Sequence, residues 1–166
     1  MPKKVGRVEG FSYTGYHRYF TTTCTALRRP VFKERWVATA VAEQIRRNAE
    51  LFEFAVPAYC LMPDHVHILL HARSERSDFQ AFMKRFKQMT GYAYKQQMRQ
   101  PLWQRGFHER ILRDDESSER VARYILENPV RAGLTAVWGE YPYAWSDVYD
   151  LESLFTDWRA ANCSRG

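Results

Sequence analysis

Residues 18–26 (RYFTTTCTA) are aromatic and β-branched, which predicts a strand. The period then changes: Val37, Val41, Ile45 and Ala49 recur every four positions within residues 34–50, the stripe of an amphipathic helix. Residues 52–62 return to strand character, and Pro57 inside them marks a bulge or an edge position. Pro63-Asp64 turns the chain into a third strand over 65–71. Asp78 suits the N-cap of a long helix that carries Phe79, Phe82, Met83, Phe86 and Met89. Gly91 weakens that helix midway, and Pro101 lies beyond its end. Residues 107–113 alternate as a fourth strand. Residues 114–118 then supply caps and acidic first-turn groups for a helix over 119–128, which Pro129 ends. The remainder, from Tyr141-Pro142-Tyr143 to Trp158, is aromatic and irregular, a tail packed onto the body. No repeat or low-complexity stretch interrupts this pattern.

Strands interleaved with two long helices and one short one predict an α+β chain. A ferredoxin-like sandwich, an antiparallel sheet with helices on one face, is the expected architecture. The chain divides into a basic arm (1–17), a functional domain (18–146) and a tail (147–166). At 166 residues and 45% hydrophobic content it can bury one core and is not a disordered chain. No apolar run approaches the length of a membrane span, and residues 1–10 lack the apolar core of a signal peptide. Cys24, Cys60 and Cys163 are odd in number and form no CxxC pair, which argues against a disulfide framework or a thiolate zinc site. A soluble, cytoplasmic protein is the simplest expectation.

Charge sharpens this picture. The 25 Lys and Arg exceed the 19 Asp and Glu by 6, and arginine dominates the cations. Arginine's planar fork suits phosphates and base edges. The excess is local as well: residues 79–107 contain Lys84, Arg85, Lys87, Lys95, Arg99 and Arg105 but no acid. Nucleic acid is the favoured partner, against a merely solvated basic helix face.

Two constellations carry candidate chemistry. On a strand, His65 and His67 share one face while Val66, Ile68 and Leu70 share the other. The paired imidazoles are either a bidentate metal site or two ordinary hydrogen-bonded histidines. A histidine-triad nucleotide hydrolase does not fit, because Leu69 occupies the required third position. Tyr124 and Asn128, four apart, lie on one helical face, with Ile125 turned to the core. They are either a phenol nucleophile beside an amide ligand or a half-buried tyrosine and a helix-ending asparagine. His108 and Glu127 are weaker candidates for proton transfer. Trp103, Gln104, Arg105 and Phe107 offer base-edge and stacking groups, or simply anchor the fourth strand.

Taken together, three blocks resemble the REP-associated tyrosine transposases, in the IS200-like branch of the HUH single-strand nucleases. They are Leu61-Met62-Pro63-Asp64-His65-Val66-His67, Trp103 to Arg110 (WQRGFHER), and Tyr124 to Gly133 (YILENPVRAG). Tyr141-Pro142-Tyr143-Ala144-Trp145-Ser146 is similar to that family's tail motif. The resemblance implies that His65, His67 and Asn128 hold Mg²⁺ or Mn²⁺, that Tyr124 is the single nucleophile, and that the partner is a single-stranded DNA hairpin of the REP type. It implies a 5′-phosphotyrosine intermediate, a monomer, and a place at the nucleoid. Residue 64 is Asp where that family often has Asn or Glu, which changes the surroundings of the ion. Lys84, Arg85, Lys87, Arg105, Lys3 and Lys4 are the expected DNA contacts. The alternatives are a hairpin-binding regulatory or architectural protein that does not cleave, and a water-using phosphodiesterase with Tyr124 structural.

Overall fold

The computed structural model describes residues 10–154 and 156. Its single antiparallel sheet has the order β4-β1-β3-β2-β5. The strands are β1 (Arg18–Cys24), β2 (Phe54–Met62), β3 (His65–Ala72), β4 (His108–Ile111) and β5 (Ala144–Trp145). Helix α1 (Arg35–Leu51) connects β1 to β2, and α2 (Phe79–Met98) connects β3 to β4. The first four strands and these two helices form the ferredoxin-like β-α-β-β-α-β unit that the periodicities predict. Two short helices follow: α3 (Ser118–Leu126) and α4 (Asn128–Arg131).

The local signals act as expected. Asp78 accepts a hydrogen bond from Ala81 N at 2.9 Å and starts α2. At Pro57, β2 advances three residues from Ala55 to Ala58 while β3 advances two, from His71 to Leu69. That extra residue is a bulge, and it reverses the side-chain parity of β2. Phe54 and Val56 before it, and Tyr59 and Leu61 after it, all join the same core. Gly91 lies within α2, with Trp103 Cδ1 only 3.7 Å from where a β-carbon would stand.

That core fills the space between the sheet and helices α1 and α2. Tyr19, Val66, Ile68 and Leu70 from the sheet meet Val41, Ile45, Phe82 and Phe86 from the helices. Tyr19 stacks on Phe79 with 4.0 Å between ring centroids. The expectation of helices on one face only is corrected by α3. Its Val121, Ala122, Ile125 and Leu126 pack on Ala58, Cys60, Met62 and Leu69, which belong to the opposite face of the sheet. A stripe that apolar needs burial, and the second sheet face supplies it.

The ends of the functional domain also differ from expectation. Tyr13 is buried and packs in the main core, so the body begins before residue 18. At the other end, Asp147, just past β5, accepts hydrogen bonds from Val56 N, and its own N–H returns one to Val56 O at 3.2 Å. Buried Leu154 packs near α3. No described helix is long and apolar enough to cross a membrane.

Candidate active site

Alternation along β3 places His65, His67 and Leu69 on the face covered by α3. The two imidazoles converge, with His65 Nε2 3.2 Å from His67 Nε2. Each ring is fixed from behind. His65 Nδ1 donates to Asp64 Oδ1 at 2.6 Å, and His67 Nδ1 lies 2.8 Å from Thr22 Oγ1. Asp64 is held in turn by Arg28, whose Nε is 2.9 Å from Asp64 Oδ2. A hydroxyl both donates and accepts, so Thr22 tolerates a proton on either nitrogen of His67. Burial, with His65, Arg131 and Arg28 nearby, pushes the His67 pKa down to about 3. His67 is therefore neutral at pH 7, the form that ligates metals.

This arrangement fits a divalent ion. Two cis ligands about 2.1 Å from one ion stand about 3 Å apart, close to the Nε2 separation. The Asp64–His65 bond is the carboxylate support that ligating histidines usually have. Among the described residues no cluster of three or more His, Cys, Asp or Glu could complete the coordination. An amide, water or substrate would supply further ligands.

Tyr124 reaches this face from α3, and the start and end of that helix explain how. Ser117 caps the start, accepting from Arg120 N. At the end, Pro129 has no N–H for the carbonyl of Ile125 four residues earlier. Asn128 Nδ2 substitutes for it, 3.3 Å from Ile125 O and 2.9 Å from Tyr124 O. The expected helix over 119–128 therefore closes at Leu126, and Pro129 sits in the first turn of α4, where no donor is needed. The Tyr124 ring stands 6.4 Å from the His67 ring and edge-on to Phe20 at 6.1 Å. It remains 46% exposed. Arg131 lies over it, its Cζ 4.3 Å from the ring centroid.

Of the residues singled out in the sequence, the structure brings His65, His67 and Tyr124 together. Asn128 stands beside Tyr124, but its Oδ1 accepts from Arg131 at 3.2 Å and its amide nitrogen caps α3. Lys84 and Arg85 are exposed on α2, across the sheet from the histidines, and Arg105 is exposed on the α2–β4 loop. Lys87 is not a free cation: its Nζ donates to the carbonyls of Gln104 and Gly106, and burial lowers its pKa to about 8. Lys3 and Lys4 lie outside the described residues. Trp103 anchors the core, donating to Thr90 Oγ1 at 2.8 Å.

Thr22, Arg28, Arg110 and Arg131, which sequence reasoning passed over as site residues, complete the site, and His108 joins them. Thr22 lies between His67 and His108 in register, which places exposed His108 on the same sheet face. Arg110 extends over Phe20, 5.9 Å from its ring. Arg28, paired with Asp64, Arg110, paired with Glu116, and Arg131, over the Tyr124 ring, thus surround the histidines and the phenol. The parity of β4 and the seven-residue step from Tyr124 to Arg131 were the signals that could have located two of them.

Comparison with known proteins bears on the family and the fold. The family model described as "Transposase IS200 like" matches residues 14–128. A Haemophilus influenzae protein named as a REP-associated tyrosine transposase is 26% identical over 110 residues, 60% of this chain and 62% of that protein. The fold is similar to that of a REP-associated tyrosine transposase solved bound to a REP hairpin. The TM-score is 0.67 at 19% identity, over 82% of this chain and 80% of that one. A Deinococcus radiodurans protein described as a transposase gives 0.51 at 22% identity, over 74% and 95%. With a family match running from residue 14 to residue 128, more than half of its length, the chain belongs to the IS200-like transposases.

Proposed function

We propose that this chain cleaves and rejoins single-stranded DNA hairpins of the REP type through a phosphotyrosine at Tyr124. The observation that carries the reading is an accessible phenol, 46% exposed, whose ring is 6.4 Å from that of His67 in a converging imidazole pair. Tyr124 Oη attacks the scissile phosphorus, a bond forms from phosphorus to the phenol oxygen, and the bond to the 3′ oxygen breaks. In net terms the phenol proton passes to the leaving 3′ oxygen. The phosphodiester energy is conserved in the protein–DNA link, so a 3′-hydroxyl can reverse the step without a nucleotide cofactor. This is where a tyrosine nucleophile differs from water.

His65 and His67 would hold a Mg²⁺ or Mn²⁺ ion, which when bound polarises the phosphate as a Lewis acid. Imidazole is a better donor for Mn²⁺ than for Mg²⁺. Asn128 Oδ1, which accepts from Arg131 at 3.2 Å, would be the third ligand. Arg28, Arg110 and Arg131 orient phosphate oxygens around the site. Exposed Lys84, Arg85 and Arg105, with Lys3 and Lys4, contact more distant backbone, and one chain carries every residue named, so a monomer suffices.

The test uses labelled single-stranded hairpin DNA with Mn²⁺, followed by a denaturing gel. A covalent, slowly migrating adduct that disappears in Tyr124→Phe is expected. Binding without cleavage would make the protein a hairpin-binding regulator, and free cleavage products from both proteins would make it a water-using phosphodiesterase.

A further inference from the structure

The turn that leaves β1 beside the histidines is held in a conformation its residues do not favour. Leu27 and Arg28 both have left-handed backbone angles, φ 56° and 54°. Glycine and asparagine accept that region; leucine rarely does. Leu27 is also 88% exposed, so no packing of its side chain compensates. A single exposed leucine would mean little. An exposed leucine in disfavoured geometry is a residue that the fold alone would have replaced.

The turn is not loose. Thr25 Oγ1 donates to Arg29 O at 2.7 Å, Thr25 N to Asp64 O at 2.9 Å, Ala26 N to Leu102 O at 2.8 Å, and Arg29 Nη2 to Pro101 O at 2.6 Å. Arg28 grips Asp64, and Asp64 grips His65. Leu27 is therefore one residue from a chain of contacts that ends at the proposed metal ligands. A rigid frame presents an apolar side chain to solvent at the edge of the site.

We infer that Leu27 is a wedge against which an unpaired base of the DNA strand stacks, next to the phosphate that Tyr124 attacks. The inference rests on the reading of the site as one for single-stranded DNA. Every base has an apolar face, and aliphatic side chains inserted beside a base hold it out of its stack. Half-exposed Arg28 adds a cation one residue away. The wedge would fix which nucleotide step enters the site, a task that phosphate contacts cannot perform.

The experiment uses Leu27→Asn and Leu27→Gly, both suited to left-handed backbone, in the Tyr124→Phe protein so that no substrate is consumed. Hairpin DNA carrying 2-aminopurine at successive positions serves as the probe. The parent should change the fluorescence at one position flanking the cleavage step. Both variants should lose that change and bind about tenfold more weakly, while their thermal midpoints stay equal to the parent's or rise. Unchanged affinity and fluorescence in the variants would overturn the wedge and turn attention to a protein partner for Leu27. Lowered midpoints would also overturn it, by showing that Leu27 supports the fold. A parent that binds no hairpin would sink the functional reading first, and the wedge with it.

Discussion

The guanidinium of Arg131 lies 4.3 Å over the ring of Tyr124 while donating to Tyr124 O and Asn128 Oδ1, each at 3.2 Å. One side chain thus steadies the proposed nucleophile, occupies the oxygen of the proposed third ligand, and brings a positive charge to the place where a phosphate must arrive. Arg131→Ala should slow single-turnover adduct formation by about tenfold or more. Arg131→Lys should recover only part of the rate, because an ammonium keeps the charge but loses the planar fork. Adduct formation at the parent rate in Arg131→Ala would remove Arg131 from the site.

Asp64 sits between Arg28 and His65, accepting from both. If it orients His65 for a metal, Asp64→Ala should weaken Mn²⁺ binding about 10-fold to 100-fold. Calorimetry or Mn²⁺ electron paramagnetic resonance without DNA gives this directly. The fold should survive, since Asp64 is at a turn and Thr25 bonds to its backbone carbonyl, not to its side chain. An unchanged Mn²⁺ affinity would mean that His65 needs no support from Asp64.

His71 provides a pH signature away from the catalytic groups. Burial, with Arg18 opposite it across β1 and β3, lowers its pKa to about 4, and its Nε2 has no hydrogen-bond partner. The unfolded chain binds the proton near pH 6.5. Between those values the unfolded state holds more protons, so stability falls as pH drops from about 6.5 to 4. After allowance for partial solvent screening this amounts to on the order of 1–2 kcal/mol. Chemical denaturation across that range should show a shallower loss in His71→Leu than in the parent. Parallel curves would contradict the assignment.

Much of this site was legible because its signals are local. Alternation on β3 needs only neighbouring residues, and the Asp78 cap, the bulge at Pro57 and the α3 stripe need no more. What was not legible depends on register between distant segments. β5 is two residues long and exists through Ala144 and Trp145 pairing with Cys60 and Tyr59, more than eighty positions away. Which face α3 covers follows from the small side chains of Ala58 and Cys60 meeting Val121 and Ala122. Charge alone was incomplete for a related reason. Counting cations marks Lys87 as a phosphate contact, but only its position relative to residues 104–106 reveals its bonds to two carbonyls.

Lys87→Met separates those two roles. Losing both carbonyl bonds should cost about 1–3 kcal/mol, measured by denaturation. The slope of DNA affinity against salt concentration should stay the same, because no phosphate contact is removed. Lys84→Ala with Arg85→Ala should do the reverse if those exposed residues meet DNA. A reduced salt slope in Lys87→Met would restore Lys87 as a phosphate contact.

Asn128 combines two tasks that one substitution cannot separate. Its Nδ2 serves the carbonyls of Tyr124 and Ile125, in place of the N–H that Pro129 lacks. Its Oδ1 is the atom proposed to meet the ion. Asn128→Ala should therefore lower stability by about 1–2 kcal/mol and also abolish adduct formation. Adding Pro129→Ala returns a backbone N–H that can reach Ile125 O, as in an uninterrupted helix. The double variant should regain most of the lost stability, read as its denaturation midpoint, and still form no adduct with hairpin DNA and Mn²⁺. If cleavage returned together with stability, Asn128 would be a helix cap alone, and the ion would draw its remaining ligands from water and the DNA.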